Sequence, residues 1–382
     1  MTRWLEEALI AMPSQGRLGM KVPGDLAFGF TDDRKTEKGN QDRMAIAYCL
    51  DASQSGESWF FAGVCDGVGG GAQGDVAASI ALSEIISHLC VGESGPPERR
   101  LGRAILRAHL EVQQRLQKRS ATTFVGIFVT DRGSLTIGSV GDSRIYSVSD
   151  DEAVKLTQDD TLAEMLRRQV PDSANQQIQD TIKALQSQWH DSLGQAIGSE
   201  LPLQPHTSFW PHISPGSGYL LCTDGVWKPI EPMLAQVVRT SPGRKDLARR
   251  LLTLTDHLGA TDNATAIVIP ELTNIVQWLR SQHRTSEQGL VHLVLPGEMA
   301  VVPWSLFKQT PAPQEPSRVR PSETVKHETR DPQSEGKSKS KTKTNKTAKT
   351  AKTDKAAGVQ MTIVEGPKND EASAASTVPK EQ

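Results

Sequence analysis

The sequence predicts an α+β fold in which two antiparallel sheets carry helices on their outer faces. Three observations predict it. Apolar, β-rich runs follow one another in pairs across short turns and do not alternate singly with helices. Stretches with helical apolar spacing come in groups between those pairs. A carboxylate then recurs where an apolar run meets a turn: Asp66, Asp142, Asp224 and Asp262.

The elements follow in order. Residues 1–24 hold a short amphipathic piece around Trp4, Leu5, Ala8 and Leu9, then Gly and Pro, and read as an N-terminal extension. Strands over 26–30 and 43–50 flank a polar turn. A hairpin-like connection over 51–58 leads to a buried strand over 59–65, which ends on Asp66 and a run of glycines. Helices follow over 76–89 and 98–119, the second with a basic outer face. Strands are expected over 122–130, 134–140 and 144–149, the first two joined by the tight turn Asp131-Arg132-Gly133. A turn over 151–155 precedes a Gln- and Asp-rich stretch, 161–192, read as helical and mobile, and a loop over 193–212. A buried strand over 218–222 leads to Asp224. Helices over 229–239 and 244–258 precede Asp262 and a last strand over 264–269. These elements make up a domain of residues 25–271. Residues 272–308 carry further apolar material, either a helix and strand added to the domain or a docking segment. Residues 309–382 turn to Pro, Ser, Thr, Lys and Glu and are expected to be disordered, with an apolar island over 359–364.

A chain of 382 residues accommodates one large domain or two smaller ones with additions. Its formal charge of −2 conceals a basic segment, 337–355, with eight Lys against one Asp. That tail could contact an anionic partner, although a solvated linker is the simpler reading and a nucleic-acid partner is not indicated. Cys49, Cys65, Cys90 and Cys222 lie in or beside apolar segments without C-x-x-C spacing, so reduced buried thiols are expected. No apolar run reaches the length of a membrane span. The N-terminus carries Glu6 and Glu7 where a leader would be basic and then apolar, which gives the expectation of a cytoplasmic protein.

Aspartates at strand ends beside glycine offer hard oxygen ligands, which suit Mg²⁺ or Mn²⁺. A single Asp-Gly step is usually an ordinary turn, but the ordered set is specific. It runs Asn40-Gln41-Asp42, Asp66-Gly67-x-Gly69-Gly70, Thr122-Thr123, Gly141-Asp142-Ser143-Arg144, Leu156-Thr157-x-Asp159, Leu193-Gly194-x-Ala196-Ile197-Gly198, Thr223-Asp224-Gly225 and Asp262-Asn263-Ala264-Thr265. Over roughly residues 25–270 this resembles the metal-dependent Ser/Thr protein phosphatases of type 2C, in their bacterial form. The resemblance implies a β-sandwich flanked by helices with a two-metal Mn²⁺ or Mg²⁺ site at one end, and a third, weaker ion. It implies that Asp66 bridges the metals and Gly67 offers its carbonyl. Asp224 and Asp262 complete the first metal, Asp42 holds its water, and Asp142 serves the third ion. It implies hydrolysis of phosphoserine and phosphothreonine in proteins by metal-activated water, opposing a Ser/Thr kinase. The stretch 161–192 falls at the family's flap.

The chain departs from that family's pattern in four places. Glu37 stands where an arginine usually grips the substrate phosphate, and Arg34, Lys35 or Lys38 could replace it, Arg34 and Lys38 being the two put forward. Val68 stands at the general-acid histidine of eukaryotic members. Gly71 and Asp160 stand at histidines common in bacterial members. Glu37 supports a second reading, a catalytically weak phosphatase-fold module that regulates or binds, whereas the complete set of aspartates opposes it. A nuclease steered by the basic tail is a third, weaker reading.

Overall fold

The computed structural model describes residues 1–50, 57–68, 73–91, 96–169, 180, 184, 192–282, 289–308 and 362–365. In chain order the helices are α1 (Thr2–Ile10), α2 (Gly74–Val91), α3 (Pro97–Leu116), α4 (Leu162–Gln169), α5 (Asp224–Ile230), α6 (Leu234–Arg239), α7 (Arg244–His257), α8 (Leu272–Ser281) and α9 (Ser305–Lys308). The strands are β1 (Arg17–Lys21), β2 (Phe28–Asp32), β3 (Arg43–Leu50), β4 (Trp59–Cys65), β5 (Gly67–Val68), β6 (Ala121–Thr122), β7 (Phe124–Thr130), β8 (Leu135–Val140), β9 (Arg144–Val148), β10 (Ala153–Lys155), β11 (His206–Trp210), β12 (Gly218–Cys222), β13 (Ala264–Ile269), β14 (Leu290–Leu295), β15 (Glu298–Pro303) and β16 (Thr362–Glu365).

Two antiparallel sheets result, as the sequence predicts. One runs β1-β2-β13-β12-β9-β10, the other β11-β8-β7-β4-β3-β14-β15-β16, and β5 pairs separately with β6. Strand alternation explains the layers. Met44, Ile46, Phe60, Ala62 and Val64 point between the sheets and meet Ile145, Leu221 and Ile267. The alternate residues Ala45, Ala47, Phe61 and Cys65 face α2 and α3. Across the other sheet, Tyr146, Leu220, Cys222 and Val268 face Val226, Trp227, Leu247 and Leu251 of α5 and α7. Strands buried on both faces read as unbroken apolar runs.

Helix α2 alone is long and apolar enough by composition to cross a membrane among the described residues, and 72% of it is buried here. It meets the composition test because it lies between the eight-stranded sheet, α1 and α3, where every face is covered. This qualifies the expectation that no apolar run reaches such a length. The four cysteines are free and buried, as expected.

Several expected boundaries shift. Residues 1–24 are built into the domain: α1 sets Leu5 and Leu9 in the core beneath α2, and β1 pairs with β2 from Arg17↔Asp32 to Lys21↔Phe28. Residues 206–210, expected in a loop, form the edge strand β11 on β8. The helix expected over 229–239 is two helices, α5 and α6, with a 3₁₀ turn between them. Residues 272–308 add α8, the hairpin β14–β15 and α9, with β14 paired to β3. Residues 362–365, within the apolar island, pair with β15. The rest of the tail, the glycine run after Val68 and most of the expected flap lie outside the described residues. Contacts divide the chain into Met1–Thr310 with Met361–Gln382, and a second unit, Pro311–Gln360, outside those residues.

Candidate metal centre

The loops at one end of the sandwich enclose a cavity of about 900 Å³. Asp66, Gly67, Asp142, Asp224 and Asp262 line it, together with Lys38 and Lys228. Asp66 follows β4, and its carbonyl accepts from Thr122 Oγ1 and the Thr123 N–H, both at 2.8 Å. Thr123 Oγ1 in turn pairs with Ser143 Oγ at 2.7 Å, beside Asp142. The Thr122-Thr123 step therefore fixes the Asp66 peptide and ties it to the Gly141–Asp142 turn. Gly141 sits at φ +91, and a Cβ there would meet Thr123 Cγ2 at 2.7 Å.

Asp224 opens α5 and Asp262 precedes β13. A Cβ on Gly225 would run into the Asn263 backbone, so glycine lets those two turns touch. Asn263 braces the polar loop of residues 33–42. Its Oδ1 accepts the Gln41 N–H at 2.9 Å, and its Nδ2 donates to the Asp33 carbonyl at 2.9 Å.

Asp42 lies behind the cavity, fully buried, with Oδ2 accepting from Thr223 Oγ1 at 2.9 Å. Burial, with Asp224 and Asp262 nearby, pushes its carboxyl up to about 7. Burial next to Asp224 likewise pushes Asp142 up to about 7. Desolvation, with Asp42 and Asp224 adding to it, raises Asp66 well above the usual range, and burial next to Asp224 raises Asp262.

Arg43 has no place among the residues picked out by sequence. It is fully buried and donates to the carbonyls of Leu9 (2.8 Å), Asn40 (2.9 Å) and Asp42 (2.8 Å), and to Ser79 Oγ (3.2 Å). Lys228 also went unread. It lies four residues after Asp224 on α5, and its Nζ donates to Asp224 Oδ2 at 2.8 Å. That i,i+4 spacing was the available signal.

Of the two cations proposed to replace the arginine, Lys38 lines the cavity and Arg34 does not. Arg34 sits at φ +51, its side chain is 4% exposed, and its guanidinium is bonded to Asp256 and Thr255. The expectation that Arg34 meets a phosphate is corrected: the left-handed turn at Arg34 and Lys35 sends the side chain toward α7. Asp160 accepts the Gly141 N–H at 3.0 Å and pairs with His206 Nε2 at 2.7 Å, steadying the turn that carries Asp142. Arg144 bonds Asp159 at 2.7 Å and stacks on Trp227, a structural role.

The donor set fits a hard divalent cation. Asp42 Oδ1 and Asp224 Oδ1 are buried without a hydrogen-bond partner among the described residues, which is costly unless a cation compensates. Among those residues no group of three or more carboxylate, imidazole or thiolate side chains lies close enough together to hold a metal ion. Like charges without a cation repel one another, and Mg²⁺-type ions keep several waters. Separated carboxylates around an open cavity agree with both.

A two-sheet sandwich thus brings carboxylates from four separate turns to one cavity, the arrangement of a candidate metal centre. More particularly, the chain belongs to the protein phosphatase 2C family, whose family model matches residues 31–263. The serine/threonine protein phosphatase PstP of Mycobacterium tuberculosis is 27% identical over 217 residues, 54% of this chain and 39% of that protein. The chain thus spans about two-fifths of the length of the curated relatives it matches. The crystal structure of M. tuberculosis PstP/Ppp aligns with a TM-score of 0.50 at 21% identity, covering 63% of this chain and 96% of that one. Stp1 of Staphylococcus aureus aligns with a TM-score of 0.51 at 21% identity, covering 66% and 97%. These likenesses establish the fold.

Proposed function

We propose that the chain hydrolyses phosphoserine and phosphothreonine in proteins with Mn²⁺ or Mg²⁺, opposing a Ser/Thr kinase. The observation that carries this reading is the convergence of Asp66, Asp142, Asp224 and Asp262 on one cavity, with unpartnered oxygens on Asp42 and Asp224. Asp66, Asp224, Asp262 and the Gly67 carbonyl are the residues that would hold two ions, and Asp142 a third. When bound, such ions supply water of lowered pKa and offset phosphoryl charge. The protein's own residues do the rest. Thr122 and Thr123 hold the Asp66 peptide in place, and Thr223 and Arg43 position Asp42 through its Oδ2 and its carbonyl. Lys38 faces the phosphate, while Asp42 exchanges a proton at its unpartnered Oδ1.

The test is release of phosphate from a phosphothreonine peptide with Mn²⁺ and after chelation. Mn²⁺-dependent turnover supports the enzyme. Tight Mn²⁺ binding without turnover supports the regulatory module instead.

The two cations separate in the same assay. Lys38→Ala is expected to raise the Michaelis constant about tenfold, the scale of one charge-assisted contact. Arg34→Ala is expected to leave that constant unchanged and to lower the melting temperature, because Arg34 is committed to Asp256. A raised Michaelis constant in Arg34→Ala alone would reverse the assignment.

A further inference from the structure

We propose that Lys228 is a tethered counter-cation of the metal site, which occupies Asp224 until a divalent ion displaces it and so weakens metal binding. The inference concerns this chain's own residues and rests on the metal-dependent reading above.

Lys228 Nζ bonds Asp224 Oδ2 at 2.8 Å, and both residues line the cavity that Asp66, Asp142 and Asp262 share. Four carboxylates facing one cavity are a liability to a metal-free fold, because like charges repel one another. Lys228 brings one positive charge into that ring. The compensation is partial, because Asp224 Oδ1 stays buried without a partner among the described residues.

The tether is built into one helical turn. Asp224 opens α5 and Lys228 follows at i+4, the spacing that puts two side chains on one face. Lys228 Nζ also lies over the Trp227 ring, 5.8 Å from its centroid. The lysine therefore reaches Asp224 without a loop movement. A divalent ion claiming Asp224 meets a competitor at very high effective concentration, and on binding it puts two cations beside each other.

The experiment compares the full chain with Lys228→Met and Lys228→Arg, using Mn²⁺ titration by calorimetry and melting of the metal-free and Mn²⁺-loaded proteins. Neither readout depends on turnover. Lys228→Met is expected to bind Mn²⁺ about tenfold more tightly, the scale of a partly buried ion pair. Its metal-free form is expected to melt several degrees lower, with the loaded form little changed. Lys228→Arg, which keeps the charge, is expected to restore the parent's affinity to within about threefold. Unchanged affinity and unchanged metal-free melting in Lys228→Met would overturn the proposal while leaving the phosphatase reading intact. Weaker Mn²⁺ binding in that variant would overturn it as well, by making the lysine a support for the ion. Failure of the parent itself to bind Mn²⁺ would overturn both.

Discussion

Asp66→Asn is expected to cost about three orders of magnitude in kcat/KM, roughly 4 kcal/mol of transition-state stabilisation, while making the metal-free protein more stable. The two effects have one origin. Asp66 leaves β4 at the point where the cavity opens, and its peptide is gripped by Thr122 and Thr123, so the side chain's position is set before any ion arrives. Its charge is disfavoured by desolvation and by Asp42, Asp224 and Asp142. Asparagine keeps the shape and removes that charge, so the fold loses a repulsion and the site loses its anionic ligand. Mn²⁺ affinity and activity should fall together, and the metal-free melting temperature should rise by a few degrees. A variant that is inactive and also less stable would mean Asp66 is chiefly structural. Retained activity would remove it from the centre.

The metal-free protein is also expected to lose stability as the pH rises from about 4 to about 7. Asp42 has its carboxyl raised to about 7 in the fold against 3.8 ordinarily, and Asp142 behaves in the same way. Between those values the folded protein holds protons that the unfolded chain has released. Unfolding free energy therefore falls with rising pH through that window and levels off above it. Divalent ions bind the ionised carboxylates, so their apparent affinity should rise through the same window as protons are released. Urea denaturation of the chelated protein at pH 5 and pH 8 checks the sign. Equal or greater stability at pH 8 would show that these carboxyls ionise without strain.

Much of this architecture was legible in the sequence, and the exceptions share a cause. The strands at 43–50, 59–65, 218–222 and 264–269 were readable to the residue because both faces are buried and their apolar runs are unbroken. Strands β1 and β11 were not, because they are sheet edges. Thr207 to Trp210 are exposed, so β11 shows no apolar period, and β1 offers only Leu18 and Met20 between exposed Arg17, Gly19 and Lys21, too short an alternation to stand out. The aspartates were legible as acids at strand ends beside glycine. Asn263, Arg43 and Arg34 were not assignable in the same way. Asn263 and Arg34 have partners far off in sequence, Gln41 and Asp256, each 222 residues away, and Arg43 joins its neighbours Asn40 and Asp42 to the distant Leu9. The direction of Arg34 follows from two left-handed residues, Arg34 and Lys35, which no side-chain pattern announces.

The guanidinium of Arg43 has a consequence for how this chain tolerates change at its beginning. One buried cation serves as a common fastener for the end of α1, through the Leu9 carbonyl, and for the peptide that carries Asp42. An alternative translation start, a protease nick or an affinity tag that disturbs the first ten residues would remove one of that cation's acceptors, the Leu9 carbonyl, and leave it held by Asn40, Asp42, Ser79 and Asp75 alone. The amino terminus is thus not a free handle: trimming the chain back to the start of its recognisable family homology would take away Leu5 and Leu9 from the core and one anchor of the arginine that grips the Asp42 peptide.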